Sequence, residues 1–221
     1  EKNNGDELHA FEDLVQDQID SFDKHNYGYI NDQVIKHRDL IRMLLMKQDA
    51  FLTENNKIDL FTDGHKLYEK VLEDIYNARD YIHLEYYTFE LDGLGKRILD
   101  ALETKLKEGL EVKLLYDDVG SKKVRLSKFK HFRALGGEVE AFFPSKVPLI
   151  NFRMNNRNHR KIIIIDGQIG YIGGFNVGDD YLGLGKLGYW RDTHTRVQGE
   201  VIDALQLRFI LDWNSQSHRP Q

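Results

Sequence analysis

With 221 residues, 41% of them hydrophobic and 11% aromatic, the chain can bury the core of one large domain and carry an appendage. Charged residues make up 30%, which excludes a membrane-embedded chain, and a formal net charge of −5 argues against a general nucleic-acid binder. The absence of cysteine excludes disulfides and thiolate zinc sites.

No apolar run is long enough to span a bilayer. The chain opens on Glu1 rather than Met, so a piece excised from a longer protein is expected. Residues 1–55 are charged and read as a helical N-terminal segment. Within it, residues 32–51 look like one long helix, with Leu40, Ile41, Leu44 and Leu45 at near-helical spacing. Asn55-Asn56 marks a break, and residues 56–221 read as a second, catalytic domain. There the pattern alternates. Strands are expected at 57–61, 81–89, 112–116 and 139–143, the last stopped by Pro144. Helices are expected at 64–78, 94–107 and 127–135, the last two ended by Gly109 and by Gly136-Gly137. This order predicts an α/β fold with helices packed over a parallel or mixed sheet. Residues 145–158 are irregular and basic. A strand at 161–165 meets Asp166-Gly167, a strong hairpin signal, and returns through 168–172. A strand at 191–197 and a helix at 200–213 close the chain.

The densest chemistry lies in HRKIIIIDGQIGYIGGFN, from His159 to Asn176. Residues two apart on a strand share a face, so His159 and Lys161 point the same way. A neutral imidazole can attack phosphorus while a lysine ammonium neutralises the phosphoryl oxygens. Arg153, Arg157 and Arg160 add positive charge that attracts an anionic headgroup. Asp166 belongs to the same motif, and so to the candidate catalytic set. Its parity turns it away from His159, and its place at an Asp-Gly turn gives it a mainly structural role. Gly173 and Gly174 let backbone approach a phosphate, and Asn176 can offer an amide to it or cap a helix. Asp192 and His194, in WRDTHTRV, share a strand face. Asp192 is the candidate acceptor that orients the His159 ring, with His194 as a neighbour.

Other signals carry less. Gly183-Leu-Gly185-Lys-Leu-Gly188 fits a dinucleotide fingerprint but precedes a strand, not a helix, and reads instead as a mobile loop at the mouth of the site. Residues 23–34 resemble a calcium loop only faintly, because His25, Tyr27 and Val34 occupy positions that need oxygen ligands. Asp117-Asp118 read as a turn or cap that could border the pocket. The remaining histidines show no metal spacing.

The spacing H-x-K-x4-D-x6-G-G-x-N resembles the signature of the phospholipase D superfamily. With YIHLEYYTFELDGLG, KLLYDDVGS, YIGGFNVGDDYLG and YWRDTHTRVQG, the chain resembles the first catalytic half of bacterial cardiolipin synthases over about 57–213. Gly174, where many superfamily members carry serine, favours the lipid branch over the nucleases. The resemblance implies a phospholipase D-like mixed β-sheet flanked by helices, and condensation of two phosphatidylglycerols into cardiolipin and glycerol without a metal or other cofactor. It implies two such histidines per active site, one the nucleophile of a phosphohistidine intermediate and one the general acid, with His159 as one of the pair, taken by analogy as the nucleophile, and Lys161, Gly174 and Asn176 at the phosphate. It also implies an anionic phospholipid and a membrane surface as partners, no nucleic acid, and a parent protein at the cell membrane with this part at the cytoplasmic face. A second H-x-K-x4-D half of the same parent would supply the general acid. The alternative is a single-motif phosphodiesterase or nuclease that completes its site as a homodimer.

Overall fold

A computed structural model of the chain describes residues 13, 15–21, 23–24, 32–48, 50–142, 158–186 and 188–217. The predicted strand end at Phe143, the stop at Pro144, the basic residues Arg153 and Arg157 and most of the faint calcium loop lie outside them. The chain divides into two compact units, Glu1–Glu54 and Asn55–Gln221. Among the described residues no helix is long and apolar enough to cross a membrane.

In the first unit, the expected long helix is two pieces, α1 (Asp32–Ile35) and α2 (Arg38–Gln48). The chain turns at residues 36–37, where the His37 N–H bonds the Val34 carbonyl at 2.8 Å. Ile35 and Ile41 are six residues apart and would point to different sides of one straight helix. The turn lets both pack on the small core of Val15 and Leu45.

The second unit is a three-layer sandwich. Its seven-stranded sheet runs β1-β7-β6-β5-β2-β3-β4, from β1 (Lys57–Asp63), β2 (Tyr81–Tyr86), β3 (Glu111–Asp117), β4 (Glu138–Phe142), β5 (Lys161–Ile165), β6 (Ile169–Gly173) and β7 (Arg191–Gln198). β2, β3 and β4 are parallel, whereas β5, β6, β7 and β1 pair antiparallel, so the sheet is mixed. Helices α3 (Gly64–Asn77) and α4 (Gly93–Lys107) cover one face, and α6 (Val201–Ser217) covers part of the other. The four isoleucines of β5 explain its central place. Ile163 and Ile165 enter the α3–α4 core, and Ile162 and Ile164 meet Ile202, Leu205 and Phe209 of α6. A strand buried on both faces reads as a continuous apolar run.

Two boundaries differ from the sequence pattern. The helix expected at 127–135 is a 3-10 turn (Leu126–Phe129) followed by α5 (Lys130–Ala134). The tighter turn aligns residues three apart, so Leu126 and Phe129 both pack on the core. β2 ends at Tyr86 because the next residues leave the ladder for the 176–177 loop. There the Thr88 N–H bonds Asn176 Oδ1 at 2.9 Å, and Phe89 bridges Val177.

The Asp166-Gly167 hairpin forms as the dipeptide predicts, with φ of 54° and 62°, the two positive values of a type I′ turn. Its carboxylate also ties down the start of β2. Oδ1 accepts from the Asp80 and Tyr81 amides at 2.9 and 3.1 Å, and Oδ2 accepts from the Arg79 amide at 2.9 Å.

Candidate active site

The site forms at the end of β5 opposite that hairpin. Lys161 pairs with Tyr86 of β2. The register that pairs Ile162 with Ile172 brings Lys161 level with Gly173, which pairs with His194, which in turn pairs with Phe61. One layer beyond this row lie His159 and Asp192.

His159 is exposed and Lys161 is buried. Lys161 Nζ lies 3.0 Å from His159 Nδ1, donates to the His159 carbonyl at 2.6 Å, and sits 5.4 Å from the centre of the Tyr87 ring. The Tyr87 ring also packs on the His159 ring, with centroids 4.4 Å apart. Burial pulls the lysine pKa down to about 8, opposed by the Asp192 charge. His159 is lowered from its ordinary value by desolvation and by Lys161, against the attraction of Asp117. The imidazole is therefore neutral near pH 7, as a nucleophile requires, and the ammonium is held beside it with few competing anions.

The two glycines have a reason beyond the expected access for phosphate. A Cβ on Gly174 would stand 1.9 Å from Asp192 Oδ1, and one on Gly173 would stand 2.4 Å from the His194 Cα and 2.7 Å from its ring. They make room for the side chains of β7. Asp192 lies over Gly174 and acts electrostatically on Lys161 and His194. It makes no hydrogen bond to His159 among the described residues; Oδ1 accepts from the Thr193 amide at 2.7 Å, and the His159 Nδ1 faces Lys161. In this arrangement His159 Nδ1 faces Lys161 rather than Asp192, so the expectation that this carboxylate orients the ring is not met here. His194 is 1% exposed, both ring nitrogens lack a partner among the described residues, and burial lowers its pKa to about 4.

Asn176 is buried and engaged. Its Oδ1 accepts from the Thr88 amide, the side-chain N–H donates to the Tyr181 hydroxyl at 2.8 Å, and the backbone carbonyl accepts from the Tyr68 hydroxyl at 2.6 Å. One amide hydrogen remains for a phosphate oxygen. Asp166 does not reach the site. It lies at the far end of β5, a strand's length of about 16 Å from Lys161, which removes it from the reacting groups despite its place in the motif. Gly183 and Gly188 sit at φ of 74° and 69° in a tight turn after a 3-10 helix, not in a phosphate loop opening a helix.

The sequence pattern did not disclose what holds His159. Its neighbour Asn158 is 3% exposed and fully engaged. Asn158 donates its amide N–H to Asp117 Oδ2 at 3.2 Å and its side-chain N–H to Glu85, and accepts from the Arg160 amide at 3.1 Å. Arg160 reaches across to Asp212 of α6 at 2.8 Å. Glu85 and Asp212 lie together in the interior, and burial and the Asp212 charge push the Glu85 pKa up to about 8. A protonated Glu85 can donate to Asp212 while accepting from Asn158. Asp117 also takes the Val119 and Gly120 amides, so the expected turn role and the bracing role coexist. Alternation in YIHLEY sets Glu85 with His83 on the polar face, so its burial is not legible there, and Asp212 is 127 residues away. Among the described residues no cluster of His, Asp or Glu could hold a metal ion.

The family profile described as "Cardiolipin synthase, PLD-like domain" matches residues 71–185. The chain is 98% identical over 221 residues to cardiolipin synthase 1 of Staphylococcus epidermidis, covering all of this chain and 45% of that protein. It thus spans about half the length of the curated relatives it matches. Among solved structures it resembles a phospholipase D family member, Nuc from Salmonella typhimurium, with a TM-score of 0.54 and 18% identity, covering 76% of this chain and 100% of that one. It also resembles phosphatidylserine synthase of Haemophilus influenzae, with a TM-score of 0.57 and 18% identity, covering 74% of this chain and 40% of that one. At that identity the two structures establish a shared fold.

Proposed function

The chain belongs to the cardiolipin synthase family of phospholipase D-like domains, and on that premise we propose that it is the first catalytic half of a phosphatidyltransferase that converts two phosphatidylglycerols into cardiolipin and glycerol. The observation that carries this reading is the 3.0 Å approach of a desolvated lysine to an exposed histidine at the end of the sheet.

In the free protein Lys161 donates to His159 Nδ1, which leaves the ring proton on Nε2. The phosphoryl oxygens of a bound lipid draw the ammonium to themselves. The exposed ring then carries its proton on Nδ1, and Nε2 attacks phosphorus. A P–N bond forms as the P–O bond to the headgroup glycerol breaks. The departing glycerol oxygen takes a proton from an acid outside this chain, the histidine of a second H-x-K-x4-D unit. That unit belongs to the other half of the parent protein or to a second copy of the chain. Lys161 and the remaining Asn176 amide hydrogen stabilise the charge on the phosphoryl oxygens. Gly174 keeps the layer open so that Asp192 can balance the lysine. The hydroxyl of a second phosphatidylglycerol then attacks, its proton passing to the same outside histidine, and the P–N bond breaks. Anionic lipid and a membrane surface are the partners we propose for this reaction, with the parent protein acting at the cell membrane and this half at its cytoplasmic face.

The test compares the isolated chain with the full-length parent on phosphatidylglycerol vesicles and on single-stranded DNA. Cardiolipin and free glycerol in equal amounts from the parent, with little turnover by the chain alone, is expected. DNA cleavage that rises with the concentration of the isolated chain would replace the lipid reading by a homodimeric nuclease.

A further inference from the structure

A cleft of about 660 Å³ opens beside the reaction centre, and no step above uses it. It lies past the C-terminal ends of the parallel strands β2 and β3, a common place for ligands in open α/β sheets. Thr88 and Tyr181, which hold the Asn176 side chain, form part of its wall. Thr88 also follows Tyr87, on which His159 packs. The cleft and the nucleophile therefore both border the Tyr87–Thr88 segment.

Its lining is mixed in a particular way. Lys96, Lys123 and Lys128 bring three ammonium groups from α4 and from the segment after β3. Glu90, Asp92 and Asp180 bring carboxylates, while Leu91, Leu99 and Val124 supply apolar surface. The N-terminus of α4 takes no part in binding an anion. Its Gly93, Leu94 and Gly95 amides already donate to Asp179 and Asp92. A simple anion would need the lysines alone, and a sugar or polyol would need the carboxylates alone. A glycerophosphodiester uses both, with phosphate on the ammonium groups, hydroxyls on the carboxylates and the first acyl carbons on the leucines. The volume falls in the range of small-molecule sites.

We propose that this cleft binds the glycerophosphate headgroup of a second anionic phospholipid, the one that accepts the phosphatidyl group. The inference rests on the proposed function and extends it. In the second half-reaction the acceptor's terminal hydroxyl oxygen bonds to phosphorus, the P–N bond to His159 breaks, and the hydroxyl proton leaves to the outside histidine. The acceptor's own phosphodiester stays intact throughout. It needs a cationic place apart from the reacting phosphorus, and the Lys123–Lys128 side of the cleft offers one.

Amide chemical shifts of the isotopically labelled chain, titrated with deacylated phosphatidylglycerol (glycerophosphoglycerol), test binding. Parallel titrations use inorganic phosphate and glycerol. Shifts at Thr88, Leu99, Lys123 and Val124 with glycerophosphoglycerol, at least tenfold weaker in the Lys123→Ala/Lys128→Ala double variant, are expected. Equal response to inorganic phosphate, or no response at millimolar ligand, overturns the headgroup assignment. Shifts confined to His159 and Lys161 overturn it too, while leaving the donor chemistry standing. In the full-length parent, the double variant and Leu99→Trp should keep glycerol release but divert the product from cardiolipin to phosphatidic acid by at least tenfold, as water replaces the acceptor. An unchanged product ratio overturns the proposal. Loss of glycerol release with unchanged shifts in the cleft would instead count against the donor reaction proposed above.

Discussion

The two ends of β5 are built on opposite rules. At the Asp166 end, two carboxylate oxygens collect three backbone N–H groups, and the turn takes the positive φ values that Asp and Gly tolerate. At the Lys161 end, a lysine is buried, a neutral histidine has two nitrogens unpartnered among the described residues, and a nearby acid is held neutral by burial. Buried polar groups without partners cost stability. One end of the strand stabilises the fold; the other carries buried polar groups whose burial costs stability. The same motif contains both, so membership in a motif does not make a residue part of the reaction.

The largest expected effect tests the functional end. His159→Ala in the full-length parent should lower cardiolipin formation by roughly three orders of magnitude or more, as loss of one member of a cooperating set does. Because His159 is exposed, the melting temperature should hold. A variant that keeps a tenth of the rate would remove His159 from the chemistry. Next in size is Gly174→Ala, whose Cβ must displace the Asp192 carboxylate. Initial rates should fall by about ten- to a hundredfold while urea midpoints move little; the rate loss is the order expected for a misplaced charge-stabilising group. If activity survives intact, Asp192 has no part in tuning Lys161.

Asp166→Asn tests the structural end. Asn tolerates the left-handed turn, so the loss comes from the charge-assisted bonds, about 1.5–3 kcal/mol by denaturant titration. The rate per folded molecule should be kept. Unchanged stability together with lost activity would reverse the contrast between the two ends.

Two pH experiments sharpen the comparison further. Lys161 titrates at about 8 in the free protein, so kcat/KM should fall above that pH as the ammonium is lost. Removing the Asp192 charge disfavours the ammonium, so Asp192→Asn should move this limb to lower pH. A limb that stays in place would show that another group governs it. The smallest effect concerns Glu85. Its folded pKa of about 8 lies above the ordinary value of 4.5, so its contribution is fully present below 4.5 and is lost as pH rises through 8. The groups around it are Asp212 and Arg208 on α6, Arg160 and Asn158 before β5, and His83 on the same strand. Glu85→Gln keeps a neutral hydrogen-bonding group. Its melting temperature relative to the parent chain should therefore climb between pH 5 and 8 and level off above. A difference that is flat across that range would mean that Glu85 is ionised throughout.

Local rules made much of the molecule legible in the sequence. Alternation and 3.6-residue spacing located the strands and helices of residues 56–221. The Asp-Gly dipeptide announced the hairpin, and a two-residue step placed His159 and Lys161 on one side. Parity alone turned Asp166 away from them. These features depend on residues only a few positions apart, whose geometry the backbone itself imposes. What the tertiary structure decided involves residues 41 to 127 positions apart: Asp117 and Glu85 bracing Asn158, and Glu85 meeting Asp212. Strand order determines which side chains become neighbours, and no local pattern encodes that order. Asp192 was legible as a member of the site but not as a neighbour of Lys161 rather than a partner of His159. That outcome depends on which strands flank β6 and on the space that Gly173 and Gly174 leave between them.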